Sequence, residues 1–278
     1  MDAFVFVVVL SAALMHAIWN SIIQKSKNSF LESFNFGIWK IPLTLCLVFI
    51  LPLPDKSSWP FIACSVCVHF IYTYTLVYSY NNNDLTKVYP IFRGAPPLIV
   101  LLFSYLFLNE VISSIGWLAV VITSIGILSI SLTGKKIDVK SMFSVTLVAV
   151  SIVAYSIIDG LGARASLNSL SYLSWVFLIH WSLYIPFILN RYGWEACISH
   201  TKNNLISGMF ASLISFIGYS LILWAMTKVP IAYVVALRET SIIFVGIIGW
   251  LFLSEKPSKI KFLSIIIIAL GAGLLRLS

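Results

Sequence analysis

Apolar residues run along almost the whole chain in windows of about 20, the length an α-helix needs to cross a bilayer, and short polar connectors separate them. These windows predict ten spans, near residues 4–23, 34–52, 59–80, 86–108, 113–132, 142–161, 170–190, 205–226, 231–253 and 260–277. No polar stretch is long enough for a soluble domain, so whatever the protein does happens within or at the membrane. The first window begins at Phe4 with no basic leader and ends in polar Asn20 and Ser21 before a lysine-bearing loop. It therefore reads as a retained span rather than a cleaved signal peptide. The expected fold is all-α and integral to the membrane.

The pattern repeats. Residues 88–110 and 233–255 are both apolar stretches of 23 residues, with an arginine in sixth place (Arg93, Arg238) and a Leu-Phe-Leu-x-Glu close at Glu110 and Glu255. The same offset of 145 pairs Gly126 with Gly271. Upstream, Tyr78-Ser79 before Thr86-Lys87-Val88 is echoed by Tyr219-Ser220 before Thr227-Lys228-Val229, and an offset of 139 aligns Asn20 with Asp159 and Lys25 with Arg164. Five spans per repeat is an odd number, which forces the halves into opposite orientations about an axis in the membrane plane. The expectation is ten transmembrane helices as two inverted five-helix repeats, residues 1–134 and 135–278, intertwined in one transport domain.

Composition narrows the function. Of 278 residues 60% are hydrophobic and 10% charged, against about 25% charged in soluble domains. The net charge of +8 comes from basic residues in connectors and at helix ends. That suits retention by an anionic leaflet and argues against nucleic acid as a partner. Connectors after odd-numbered spans hold eleven basic residues, among them Lys25, Lys27, Lys87, Lys135, Lys136, Lys140 and Lys256, against four on the other side. By the positive-inside rule both termini would lie outside the cytoplasm. Cys46, Cys64, Cys67 and Cys197 sit in or beside apolar segments without a second pair or a His/Cys cluster, which favours packing over redox or metal chemistry. His16, His69, His180 and His200 have no metal or catalytic spacing, so neither an enzyme, a metal nor a cofactor is expected.

The candidate site residues are the polar groups inside the spans. An arginine at membrane depth costs about 2.5–3.5 kcal/mol on insertion scales and normally faces a wet cavity or a partner. Arg93 and Arg238, one per half, suggest a central anion site, since the guanidinium fork matches carboxylate or phosphate. Glu239 points about 100° from Arg238 on a regular helix, so it is expected to serve another span, a substrate ammonium or a coupling proton. Asp159 has the same options. His16, Trp19 and Asn20 share one end of span 1. Tyr72, Tyr78, Tyr219 and Tyr233 lie near mid-span, where they can stack on or hydrogen-bond a substrate, whereas Tyr80 belongs to the interfacial belt. Lys40 and His180 fall at similar places in the two halves and are expected to reach the interface or a neighbouring helix. Pro90, Pro96 and Pro97 are expected to break or bend span 4. Gly126, Gly246, Gly249, Gly271 and Gly273 are expected to permit close helix contact, and Glu110 and Glu255 to serve as structural or gate residues.

Ten short spans in a five-plus-five repeat, the MHAIWNSIIQKSK end of span 1, YPIFRGAPPL in span 4 and VVALRETSIIF in span 9 resemble the EamA group of the drug/metabolite transporter superfamily. The resemblance implies alternating access around a cavity lined by spans 1, 3, 4, 6, 8 and 9. In the similar plastid phosphate translocators basic residues on spans 4 and 9 hold phosphate, a role Arg93 and Arg238 would inherit. Some EamA-like proteins with this pattern also resemble membrane proteins linked to phosphonate use. The expected function is secondary transport of a small polar metabolite bearing a carboxylate, phosphate or phosphonate, zwitterions such as amino acids included, across the inner cell membrane by a monomer or homodimer. The alternative is proton-coupled efflux of lipophilic or cationic drugs. The related small multidrug transporters use a glutamate in span 1, where this chain has His16 and Asn20.

Overall fold

A computed structural model describes residues 1–24, 26, 28–82, 85–131, 139–253 and 258–278. Lys25, Lys27, Lys135, Lys136, Glu255 and Lys256 lie outside the described residues, as do the side chains of Lys87 and Lys140. Among the described residues the chain is helical, with one 3-10 turn at Lys56–Ser58 and no strand. In order, the helices are α1 (Ala3–Gln24), α2 (Ser29–Ile38), α3 (Lys40–Ile50), α4 (Trp59–Asn82), α5 (Leu85–Phe107), α6 (Ser114–Ser131) and α7 (Val139–Ala165). They continue as α8 (Ser169–Tyr192), α9 (Trp194–Asn203), α10 (Leu205–Met226), α11 (Ile231–Arg238), α12 (Ser241–Leu253) and α13 (Lys259–Leu277).

Seven helical segments are long and apolar enough to cross a membrane, and Phe92–Phe107 and Ser114–Ile130 are shorter apolar helices. The expected ninth span is instead split between α11 and α12. Large apolar side chains, including Phe49, Ile50, Phe107, Phe143 and Ile206, face outward. A soluble protein rarely exposes so much apolar surface, and in a bilayer these side chains meet lipid tails. The protein is a multi-pass membrane protein.

Local chemistry sets the helix starts. Asn28 caps α2, its side-chain oxygen accepting from Phe30 N at 3.0 Å and Leu31 N at 3.2 Å. Asn168 caps α8 in the same way, accepting from Leu170 N at 3.1 Å and Ser171 N at 3.0 Å. Both caps satisfy amides that no helical carbonyl can reach, and their backbone angles nearly coincide, φ −136° and ψ 99° against φ −137° and ψ 100°.

Two helices are interrupted where the sequence pattern predicts continuity. Between α2 and α3 the break falls at Trp39. Between α11 and α12 it falls at Glu239 and Thr240, where four successive bonds run from i to i−3: Glu239 N to Ala236 O, Thr240 N to Leu237 O, Ile242 N to Glu239 O and Ile243 N to Thr240 O. A tightened 3-10 turn inside a helix commonly marks a hinge or a strained functional site. Of the two expected effects of the prolines, a break does not occur: Pro90, Pro96 and Pro97 all lie inside α5, which runs unbroken from Leu85 to Phe107.

Packing is pairwise. α1 lies along α10, α4 along α7, α6 along α13, α3 along α8 and α5 along α11, while α5 also packs on α6 and α7, and α1 on α11 and α12. The α6–α13 contact depends on two glycines. A Cβ on Gly126 would come within 3.1 Å of Ile268 N, and one on Gly271 within 2.2 Å of Thr123 Oγ1 and 2.9 Å of Thr123 N. Backbone atoms cannot rotate away, and dispersion contacts of this kind hold membrane helices together. Gly271→Val is therefore expected to lower stability by about 1–3 kcal/mol, measured as a drop in thermal unfolding temperature in detergent, with Gly273→Val as the innocuous control. Gly273, expected to permit a close contact, instead has no neighbour within 4 Å because it points away from the packed face.

Candidate substrate cavity

A buried cavity lies at the centre of the helices. Including its open mouth it encloses about 880 Å³, and its walls come from α1, α2, α3, α4, α7, α8, α10 and α11. No described residue of α5 is among them, although the family resemblance implied its span as a wall. Among the described residues no aspartate or glutamate lines the cavity either. Aromatic rings make up much of the wall. Trp19 stacks on Phe36 with ring centroids 5.4 Å apart, Tyr72 packs edge-on against Tyr155 at 5.0 Å, and Tyr219 stacks on Phe177 at 5.8 Å.

On one side of this space the two arginines converge on one carboxylate. Glu239 accepts from Arg93 Nη1 at 3.4 Å through both oxygens, and from Arg238 Nε at 3.3 Å and Nη2 at 3.1 Å through Oε1. Arg93 and Glu239 are fully buried and Arg238 nearly so. The expectation that Glu239 turns away from its neighbour is thus corrected. Consecutive positions on a helix fix only where side chains begin, and here the helix ends at Arg238, so two long side chains fold back onto each other. Arg238 lines the cavity and lies 5.6 Å over the Tyr155 ring. Arg93 stands behind the wall, its Nη2 donating to His16 Nε2 at 2.5 Å. Asn20 Nδ2 approaches the same nitrogen at 2.9 Å. A guanidinium can only donate, so Nε2 is the unprotonated nitrogen of His16.

Asp159 forms a second polar group, just behind the cavity wall. Its Oδ1 accepts from Ser65 Oγ at 2.5 Å and Tyr172 OH at 3.0 Å, and its Oδ2 from His69 Nε2 at 2.9 Å and Tyr219 OH at 2.5 Å. Four donors fill the lone-pair sites of a carboxylate. His69 and Tyr219 both line the cavity, so the buried acid touches it through them. His69 also stacks on Tyr155, ring centroids 4.8 Å apart, which joins this group to Arg238 through one shared ring.

Other expected residues fall elsewhere. Asn20 is buried beside the cavity, where its Oδ1 accepts from Tyr80 OH at 3.3 Å. Tyr80, expected in the interfacial belt, is buried and lines the cavity. Tyr78 stacks on Tyr74 away from the cavity wall, and Tyr233 OH accepts from Ser113 N at 3.0 Å at the start of α6. Lys40 and His180, expected at the interface or a neighbouring helix, are both buried and both line the cavity. Ser65, Tyr155 and Tyr172 were not singled out at all, and their only advance signal is spacing of polar residues within otherwise apolar helices.

A latch stands at the end of the molecule where α7 and α10 finish. Arg164 donates to Glu110 Oε1 at 2.6 Å, to Met226 O at 2.8 Å and to Val229 O at 3.1 Å, and Glu110 also accepts from Ile231 N at 3.0 Å. Glu110 therefore ties the α5–α6 connector to the start of α11. Cys46, Cys64 and Cys67 are free and face outward, and Cys197 is free and buried.

The sequence profile of the EamA-like transporter family matches residues 139–277, half of the chain. The chain belongs to the EamA-like transporter family. No curated protein matches the sequence. A solved structure titled only "Crystal structure of protein" aligns over 100% of this chain and 98% of its own length, with a TM-score of 0.73 and 14% identity. At that identity the likeness shows a shared fold. As an EamA-like transporter the chain belongs to the drug/metabolite transporter superfamily, and the cavity just described is its candidate site for cargo.

Proposed function

We propose that the protein is a secondary transporter that moves a small polar anion, bearing a carboxylate, phosphate or phosphonate, across the cell membrane by alternating access. The observation that carries this reading is the charge at Arg93, Arg238 and Glu239: two buried guanidinium groups share one carboxylate, and Arg238 faces the cavity. A buried guanidinium that faces a cavity is a place where an anion is favoured. The tilt towards a zwitterion rested on Glu239 and Asp159. Both are buried and engaged by several donors, and neither lines the cavity, so a cargo ammonium would find no carboxylate there. For the same reason efflux of lipophilic cations is the weaker reading.

The alternating mechanism is supported by exchange symmetry between residues 1–134 and 135–278. The α1–α10 pair has its counterpart in α4–α7, and α1–α12 in α5–α7. Shifting by 145 residues turns the Gly126–Ile268 contact into Thr123–Gly271, and Asn28 and Asn168 cap matching helices with matching angles. Ten spans in two inverted halves follow most simply, with α2–α3 and α11–α12 each counted as one interrupted span. Asp159 is the proposed coupling acid, reached from the cavity through His69 and Tyr219, while Glu239 holds the arginines together.

Thermal stabilisation of the detergent-solubilised protein by phosphate esters, phosphonates, carboxylates, amino acids and quaternary amines tests the cargo class. Stabilisation is expected from the anions. A response confined to quaternary amines would overturn the reading in favour of cation efflux.

A further inference from the structure

A third cation lines the cavity on a wall the arginines do not use. Lys40, the first residue of α3, is 3% exposed. Its ammonium lies 3.6 Å from the Phe36 ring centroid, 4.7 Å from Phe177 and 5.2 Å from Trp181. Among the described residues no carboxylate stands within ion-pair distance of it and no hydrogen bond satisfies it. Aromatic faces contribute about 0.5–2 kcal/mol to a cation, which is less than the several kcal/mol that desolvating an ammonium costs. The cage therefore holds the amine in position without supplying an opposite charge, and an anion beside it would favour its charged form. Beside it, His180 Nδ1 and Trp181 Nε1 are also buried with no partner. His180 is fixed from its other side by Thr73, Oγ1 to Nε2 at 3.3 Å. An indole N–H and an ammonium can only donate, so this wall offers at least two unmatched donors and one net positive charge.

The placement is built by the fold. The break at Trp39 turns α3 away from α2 and puts Lys40 at a helix start, one turn after Gly37. A Cβ on Gly37 would overlap Trp181 Cε3 at 2.1 Å, so the bare glycine is what lets the indole lie against α2 beside the lysine. Phe177 and Tyr155 then separate this pole from Arg238: Lys40 lies over Phe177, Phe177 stacks on Tyr219, and Tyr219 meets Tyr155, over which Arg238 sits.

We propose that Lys40, with His180 and Trp181, is a second acid-binding pole of the cavity, so that the cargo is a small two-headed acid with one acidic group at Arg238 and the other at Lys40. This rests on the anion-transport reading above and adds to it both a residue and a cargo class. Two cations that both line one aromatic chamber, Arg238 and Lys40, with Phe177, Tyr219 and Tyr155 between them, match two separated acidic groups better than one, because a single head leaves one pole unmet. Charge-assisted bonds at each pole are about twice as strong as neutral ones.

Calorimetric titration of the full-length protein in detergent separates the possibilities, with 3-phosphonopropionate as the two-headed probe and methylphosphonate as its one-headed control. Wild type is expected to bind the two-headed acid at least tenfold more tightly. Lys40→Met should bring that ratio to within threefold, and Lys40→Arg should keep it. Before any ligand is added, Lys40→Met should unfold at the same temperature as wild type or higher, since it removes an unneutralised buried charge. A ratio unchanged in Lys40→Met, or a ligand-free variant that unfolds several degrees lower, would overturn the second pole. Equal binding of both probes by wild type would also overturn it while leaving anion transport standing. Binding of neither probe by wild type would remove both readings.

Discussion

Glu239→Gln is expected to lower the stability of the folded protein by about 3–5 kcal/mol, because breaking a buried ion pair from one side leaves uncompensated charge in a low-dielectric interior. Here the loss is greater than usual for one carboxylate, since both Arg93 and Arg238 depend on it. The amide has nearly the same shape and keeps one acceptor oxygen, so packing changes little and the effect reports charge. At about 2–4 °C per kcal/mol for a chain of this order, the unfolding temperature in detergent should fall by roughly 10 °C. Excess phosphate should recover part of that loss, because an anion in the cavity takes over part of the carboxylate's work. An unfolding temperature within about 2 °C of wild type would mean that the guanidinium groups are balanced by something other than Glu239.

Asp159→Asn is the second large effect. The carboxylate meets four donors, two on each oxygen. An amide can still accept from one pair, but its NH₂ then faces the other pair donor to donor. With hydrogen bonds to charged groups worth about 1.5–3 kcal/mol each, a loss of at least about 3 kcal/mol is expected. Flux shows the functional half of the prediction. Uptake driven by an imposed pH gradient should fall at least about a hundredfold, which corresponds to about 2.7 kcal/mol in the barrier, while exchange of cargo across the membrane at equal pH on both sides persists. Loss of both activities together would make Asp159 structural, and retention of both would remove it from coupling.

Much of the frame was legible in the sequence because the bilayer imposes it. Apolar windows bounded by polar connectors specify helices, and an arginine inside such a window stands out against every neighbour, so Arg93 and Arg238 could be singled out together. Gly126 and Gly271 were legible for the same reason of repetition. Glu239 was not, because its role depends on α11 ending at Arg238, and Arg-Glu-Thr-Ser contains neither proline nor glycine to announce a break. Lys40 was misplaced because depth along a helix is the same for a side chain that snorkels and one that turns inward, and only the contact of Gly37 with Trp181 decides between them. The donors around Asp159 come from α4, α8 and α10 and none from its own helix α7, and no spacing within one helix reveals such a convergence. Tyr80 was assigned to the interface from its place near a helix end, but its hydroxyl reaches back to Asn20, which fixes it inside.

The latch of Arg164 on Glu110 bears on the transport cycle. It ties four chain segments at one end of the molecule with charge-assisted bonds of 2.6–3.1 Å, so that end cannot open without breaking them. Partly exposed pairs are weak in isolation, so under the proposed alternating access this contact can be broken and remade at small cost.

The most direct test of the central claim, that Arg238 holds an anionic cargo in the cavity, is exchange of radiolabelled cargo in proteoliposomes, using the anion that most stabilises the purified protein and comparing wild type with Arg238→Gln and Arg238→Lys at equal reconstituted amounts. Saturable exchange by wild type, cut at least about a hundredfold in Arg238→Gln and partly recovered in Arg238→Lys, is the predicted result. Exchange by Arg238→Gln at the wild-type rate would contradict it.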